Sequence, residues 1–280
     1  MSSRIAWLLF FASLIFLAGS AISCGGSSNS GVCSVVPGET YDVAGDWTLT
    51  VSSNGTTTSG PGVISTAGLA LFFEPSSAPA GAGDTASLPT ITGLSNCFSG
   101  NINSYNTPVN GGNSGIAQAQ GSISSSTAIS GSFQNTQDGT SGTFAVATNS
   151  PLAGSVTALS GSGWSGEIEG GAQAVTWSIT MTAAGSANSM SFTGSGQLAS
   201  GAVCDINGTF SQEVANTENL NVFDVSINFG AGCPFSNVTG LGFESSSDYF
   251  AINSGASGTY LYAVPSGGAS VLEIFKPAGI

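Results

Sequence analysis

The chain reads as an all-β protein built of two tandem antiparallel meander domains, with a barrel preferred to a sandwich. Three observations predict this. Apolar and hydroxylated residues alternate with period two along short stretches from Trp47 to Phe275. Gly- and Asn-containing turn formers recur between those stretches. Basic residues are nearly absent, with Lys+Arg 2 against Asp+Glu 15 in 280 residues, whereas amphipathic helices carry charge on their wet face. Thr and Ser supply the polar face instead, which leaves strand edges with few charged guards. Closing the sheet removes the edges, and Gly-induced bulges help it curl.

Composition also excludes functions. Charged residues make up 6% of the chain and hydrophobic ones 41%, enough apolar material for a core despite 41 Gly. So few cations exclude a nucleic-acid partner, because nothing displaces the counterions around phosphates. The absence of His removes Ser-His-Asp and Cys-His catalysis and the commonest metal ligand.

Residues 1–23 have the layout of a secretory signal. Arg4 supplies the positive start, Ile5 to Ala18 forms an apolar run too short for a bilayer span, and small residues lead to Cys24. Ala21-Ile22-Ser23-Cys24 resembles the lipobox of bacterial lipoproteins, although Ala21 stands where Leu is usual. That resemblance implies acylation of the Cys24 thiol and attachment to a membrane through the lipid. Residues 24–39 read as lipidated Cys24 and a flexible tether, opening with Gly25-Gly26-Ser27-Ser28-Asn29-Ser30-Gly31. Cleavage after Ala21 is the alternative and would release a soluble secreted chain.

With Cys24 acylated, Cys33, Cys97, Cys204 and Cys233 remain, an even number suited to two disulfides in an exported chain. Three pairings exist. Cys204–Cys233 is favoured because the two lie close in the last third around a strong strand pattern, leaving Cys33–Cys97. Each bridge would contribute ~3 kcal/mol. No CxxC and no His support zinc, so no metal or cofactor is expected.

The strands follow in order. Trp47, Leu49 and Val51 alternate with Thr48 and Thr50, and Trp177, Ile179 and Met181 with Ser178, Thr180 and Thr182. Phe223, Val225, Ile227 and Phe229 alternate with Asp224, Ser226 and Asn228. Tyr260 to Val264 is apolar on both faces and reads as more deeply buried, and Val271 to Phe275 is a final strand. Asn54-Gly55, Gly111-Gly112, Asp138-Gly139 and Asn207-Gly208 read as turns. A break near Pro151 divides the chain into β domains at 40–150 and 151–280. Weak self-similarity relates Gly45–Thr50 to Val175–Thr180, and Cys97–Ile102 to Cys204–Phe210.

The leader, the Gly45-Asp46-Trp47 strand, the Ser/Gly/Thr-rich meanders with isolated cysteines, Gly142-Thr143-Phe144 and Pro151-Leu152-Ala153-Gly154 together resemble the β-rich lipoproteins abundant in Acidobacteria, whose function is not established. The resemblance implies a cell-envelope location and carries over no catalytic residues.

Candidate chemistry is sparse. Glu167 and Glu169 share one strand face near Trp164, a pair that hydrolyses glycosides when two carboxylates flank a sugar. As two acids on a wet strand face, with Ile168 inward, they need no such role. Asp42 and Asp46 read as turn formers beside the first strand. Asp205-Ile206-Asn207-Gly208 lacks the further ligands of a calcium loop. Lys276, near the C-terminus, reads as an edge guard. Phe72-Phe73, Tyr249-Phe250 and Tyr260/Tyr262 read as core before they read as a ligand platform. No catalytic residue is assigned. The expected function is a non-enzymatic, structural or adhesive lipoprotein of the cell envelope, anchored to an outer membrane through acylated Cys24. The alternative is an extracytoplasmic binding module for a carbohydrate or small apolar ligand. A carboxylate-dependent hydrolase is the third reading.

Overall fold

The computed structural model describes residues 40–74, 84–88, 91, 96–106, 113–135, 139, 141–148, 155–169, 175–184, 186–247, 256–265 and 271–278. The leader, Cys24, the tether, Cys33, Gly111-Gly112, Pro151 and Tyr249-Phe250 lie outside the described residues.

The described residues form two closed eight-stranded barrels. The first runs β1 (Gly45–Ser53), β2 (Thr56–Ile64), β3 (Ala70–Glu74), β4 (Asp84–Leu88), β5 (Cys97–Asn106), β6 (Asn113–Ser125), β7 (Ala128–Asn135) and β8 (Ser141–Thr148). A 3-10 turn, Val156–Leu159, precedes the second. That barrel runs β9 (Gly161–Glu169), β10 (Thr176–Ala183), β11 (Ser189–Gln197), β12 (Val203–Ala215), β13 (Glu218–Phe229), β14 (Val238–Ser245), β15 (Gly258–Pro265) and β16 (Val271–Pro277). Every neighbour is antiparallel. β1 closes on β8 with Trp47 opposite Thr148, and β9 on β16 with Glu167 opposite Glu273. Closure solves the edge problem that a hydroxyl-faced, nearly charge-free sheet poses.

Alternation sorts the side chains as expected. Along β10, Trp177, Ile179 and Met181 are buried and Thr176, Ser178 and Thr180 exposed. Each barrel is filled from within, the first around Trp47, Phe72, Phe98, Phe133 and Phe144, the second around Trp177, Phe192, Phe210 and Phe223. Eight strands leave an interior just wide enough for such filling. Glycine is what lets rings this large fit. Gly62 lies opposite Phe72 across β2 and β3, and the space where its side chain would be is taken by that ring.

The β1–β2 hairpin turns through Asn54 (φ 58°) and Gly55 (φ 73°), with Ser53 opposite Thr56. This is the two-residue loop that matches strand twist. The Asn207-Gly208 expectation is overturned, because both residues lie inside β12. Its turn comes later, at Asn216 (φ 49°) and Thr217 (φ 71°), between Ala215 and Glu218. A β-branched residue in the left-handed region is strained by about 1 kcal/mol. Thr217→Gly is therefore expected to raise the urea midpoint by the equivalent of about 1 kcal/mol, and a lowered midpoint would contradict the strain.

The self-similarity does not map strand onto strand. Trp47 and Trp177 sit on the first and second strands of their barrels, and Cys97 and Cys204 on the fifth and fourth. In chain order the counterpart of Trp47 is Trp164 on β9, buried in the second core.

A third apolar cluster joins the barrels. Val63 and Leu71, on the outer faces of β2 and β3, pack with Val222, Leu241, Phe243, Tyr260, Tyr262, Val271 and Phe275 of the second barrel. Phe243 meets Tyr262 at 5.2 Å between centroids, and Tyr260 meets Phe275 at 4.6 Å. Both tyrosine hydroxyls donate to backbone carbonyls, those of Ala256 and Ser247. The sequence from Tyr260 to Ala263 is apolar on both faces because one face fills its own barrel and the other this seam.

Candidate functional site

Three places hold the polar chemistry of the described residues: the outer face of β9, a cleft at its start, and the seam between the barrels.

On β9 Glu167 does not share a face with Trp164. An odd spacing sends them to opposite faces, so Trp164 enters the core while Glu167 faces out. Glu167 accepts a hydrogen bond from Thr176 Oγ1 at 2.7 Å. Ile168 packs inward against the core. Glu169 pairs through its backbone position with Val271.

The cleft lies where β9 carries an extra residue against β10. Trp164 is opposite Ile179, but Gly161 is opposite Met181, so Ser162 and Gly163 bulge outward, with Gly163 at φ 86°. The bulge opens a cleft of about 540 Å³ lined by Ser162, Trp164, Ser165, Ser178, Thr180 and Pro277, among others. The Trp164 indole N–H is buried without an acceptor. Lys276 Nζ stands 5.6 Å from the Trp164 ring centroid, a cation–π contact. Lys276 thus covers an aromatic ring as well as ending the last strand.

The seam is the most built of the three. Asp46, read from sequence as a turn former, belongs to β1 and faces the second barrel. Its Oδ2 accepts from Asn221 Nδ2 at 2.7 Å, while its Oδ1 is buried with no partner. Asn221, 2% exposed, is held by β14. Its Nδ2 donates to the Glu244 carbonyl and its Oδ1 accepts the Glu244 N–H, both at 2.8 Å. Nearby, Thr66 N–H donates to Glu213 Oε2 at 2.6 Å, and Asn216 Nδ2 to Asp42 Oδ2 at 2.5 Å. Asp42 also accepts from Ala44 N–H at 3.3 Å, the local turn contact expected of it. Burial, with the Glu244 charge adding to it and the Asn221 hydrogen bond opposing, pushes the Asp46 carboxyl up to about 7. Burial likewise raises Glu213, against the Thr66 hydrogen bond, and raises Glu244. The sequence offered no signal for this group, because its members lie on strands far apart in the chain.

Cys204 and Cys233 form a disulfide, which is compatible with an extracytoplasmic location. Cys97 is also disulfide-bonded; the expected partner, Cys33, is outside the described residues. Asp205, inside β12, accepts from Ser195 Oγ at 2.7 Å. No group of three or more His, Cys, Asp or Glu placed to hold a metal ion occurs among the described residues. Compared with protein families, with curated proteins and with solved structures, the chain matches none.

Proposed function

We propose that the protein is a non-enzymatic lipoprotein of the cell envelope, anchored through acylated Cys24 and presenting its double barrel in a structural or adhesive role. The sealed architecture supports this reading best. Both barrels close on themselves, both interiors are occupied by their own aromatic and aliphatic side chains, and a buried seam joins them. A filled barrel offers strength and a hydroxylated surface rather than a reaction chamber. The lipobox-like leader and the Gly/Ser tether supply the anchor, with an outer membrane the proposed site.

The binding-module reading rests on the cleft beside Trp164 and is the weaker of the two. Sugar sites use an exposed aromatic face as a platform. Here Trp164 is 3% exposed and Phe275 6%, each committed to its own cluster, so the cleft presents hydroxyls and a proline edge.

Intact mass of the mature protein, with and without reductant, tests the anchor. The expected result is a diacylglycerol adduct on Cys24 and a gain of four hydrogens on reduction. Cys24→Ser should move the protein from the membrane to the soluble fraction. An unmodified chain beginning at Ile22 would overturn the anchor in favour of secretion.

A further inference from the structure

We propose that the seam between the barrels is an acid-tightened joint, in which the barrels dock most firmly when the carboxyls of Asp46, Glu213 and Glu244 carry protons and loosen as these are lost. The proposal does not depend on the lipid anchor. It starts from what the seam contains. Apolar side chains of both barrels hold its middle, and its polar links include Asp46 to Asn221 and Thr66 to Glu213.

Among the described residues no cation stands beside these acids to balance them. The strands flanking β1 in its own barrel, β2 and β8, contain no ionisable residue. Across the seam, β12 brings Glu213, β13 brings Glu218 and Asp224, β14 brings Glu244, and β16 brings Glu273, itself 1% exposed. Asp42 precedes β1. Lys276, the one basic residue outside the leader, is engaged over Trp164 on β9. An ionised Asp46 therefore has one hydrogen bond, from a neutral amide, a second oxygen buried without a donor, and a neighbouring acid. The neutral carboxyl needs less compensation in that setting, because burial penalises only the charged form strongly.

The direction follows from linkage. A carboxyl with an ordinary value of 3.8 when the barrels part, raised to about 7 when they dock, favours docking fully below about pH 4. That preference declines as pH rises towards about 7 and is then exhausted. The raised values of Glu213 and Glu244 act with the same sign. The docking constant for Asp46 alone falls by up to about a thousandfold across that window.

Hydrogen exchange on the full mature chain tests the joint. The amides to follow are Thr66, which donates across the seam, and Glu244, which donates to Asn221. Amides of Phe133 and Ile179, inside the two cores, serve as references. Protection factors at Thr66 and Glu244, corrected for intrinsic rates, are expected to fall at least tenfold between pH 4.5 and pH 7.5. The core amides should hold. Asp46→Asn, which keeps an acceptor for Asn221, should remove most of the change at Glu244. An equal fall in that variant, no fall in the native chain, or an equal fall at the core amides would overturn the proposal. Should Asp46→Asn fail to fold, Glu244→Gln provides the second test: removing the neighbouring charge should move the midpoint of the Asp46 transition to lower pH. An unmoved midpoint would equally overturn it.

Discussion

Trp177→Ala is expected to destabilise the second barrel by about 4 kcal/mol, a large share of the roughly 5–15 kcal/mol that holds a domain folded. Trp177 is fully buried and does two things at once. Its ring packs against Phe229 at 6.1 Å and Phe235 at 6.0 Å, which meet each other at 5.2 Å. Its indole N–H donates to the Cys204 carbonyl at 2.7 Å, and Cys204 is tied in turn to Cys233. Truncation opens a cavity beneath two other rings and leaves a carbonyl without its donor. Trp177→Phe separates the two terms: it keeps much of the packing, loses the hydrogen bond, and should cost about 1–2 kcal/mol. Urea unfolding followed by hydrogen exchange at core amides measures both. Because the cores are separate clusters, Ile179 should lose protection while Phe133 keeps most of its own. A loss below about 1 kcal/mol for the alanine variant would show that the cluster relaxes around the gap.

The fold class was legible because β structure is written locally. Phe223, Val225 and Ile227 alternate with polar residues, and all three are buried while Asp224 is exposed. Closure was legible less directly, through edges that lacked charged guards. Turns were read less well. Asn54-Gly55 is a hairpin loop, and Asn207-Gly208 is strand, although the dipeptide is the same. What separates them is a neighbour not visible in sequence: Gly208 receives the ring of Phe192 from β11. The turn that does end β12 uses Asn216-Thr217 and has no glycine to announce it.

The seam was illegible for a different reason. Asp46 and Asn221 lie 175 residues apart, and no local pattern marks an acid that will be buried by a second domain. One trace of it did exist. Tyr260, Leu261, Tyr262 and Ala263 are apolar on both faces, and a strand in a barrel with one wet face needs apolar residues on one only. The second face is the seam. The trace marked burial but held no clue to what did the burying.

Gly208→Val should destabilise the second barrel by about 3 kcal/mol, at the upper end of what overpacking costs. Gly208 is not among the glycines with positive φ, so the objection to a side chain is space and not backbone conformation. A Cβ there would stand 2.6 Å from Cε1 and Cζ of Phe192 and would also collide with the Ser226 carbonyl oxygen. The ring could turn aside, but the carbonyl belongs to the β12–β13 ladder, where Gly208 lies opposite Ile227, and moving it disturbs the register. Even Gly208→Ala should therefore be felt. Phe192→Ala made together with Gly208→Val should cost less than the sum of the two single changes, because the truncated ring vacates the space that the valine enters. Asn207, the exposed neighbour, provides the contrast: Asn207→Ser should change stability by less than about 0.5 kcal/mol. Denaturant midpoints for the five variants, Phe192→Ala alone included, give the comparison. A Gly208→Val protein as stable as the native chain would mean that the barrel wall yields at this point, and that the ring over Gly208 does not set the curvature there.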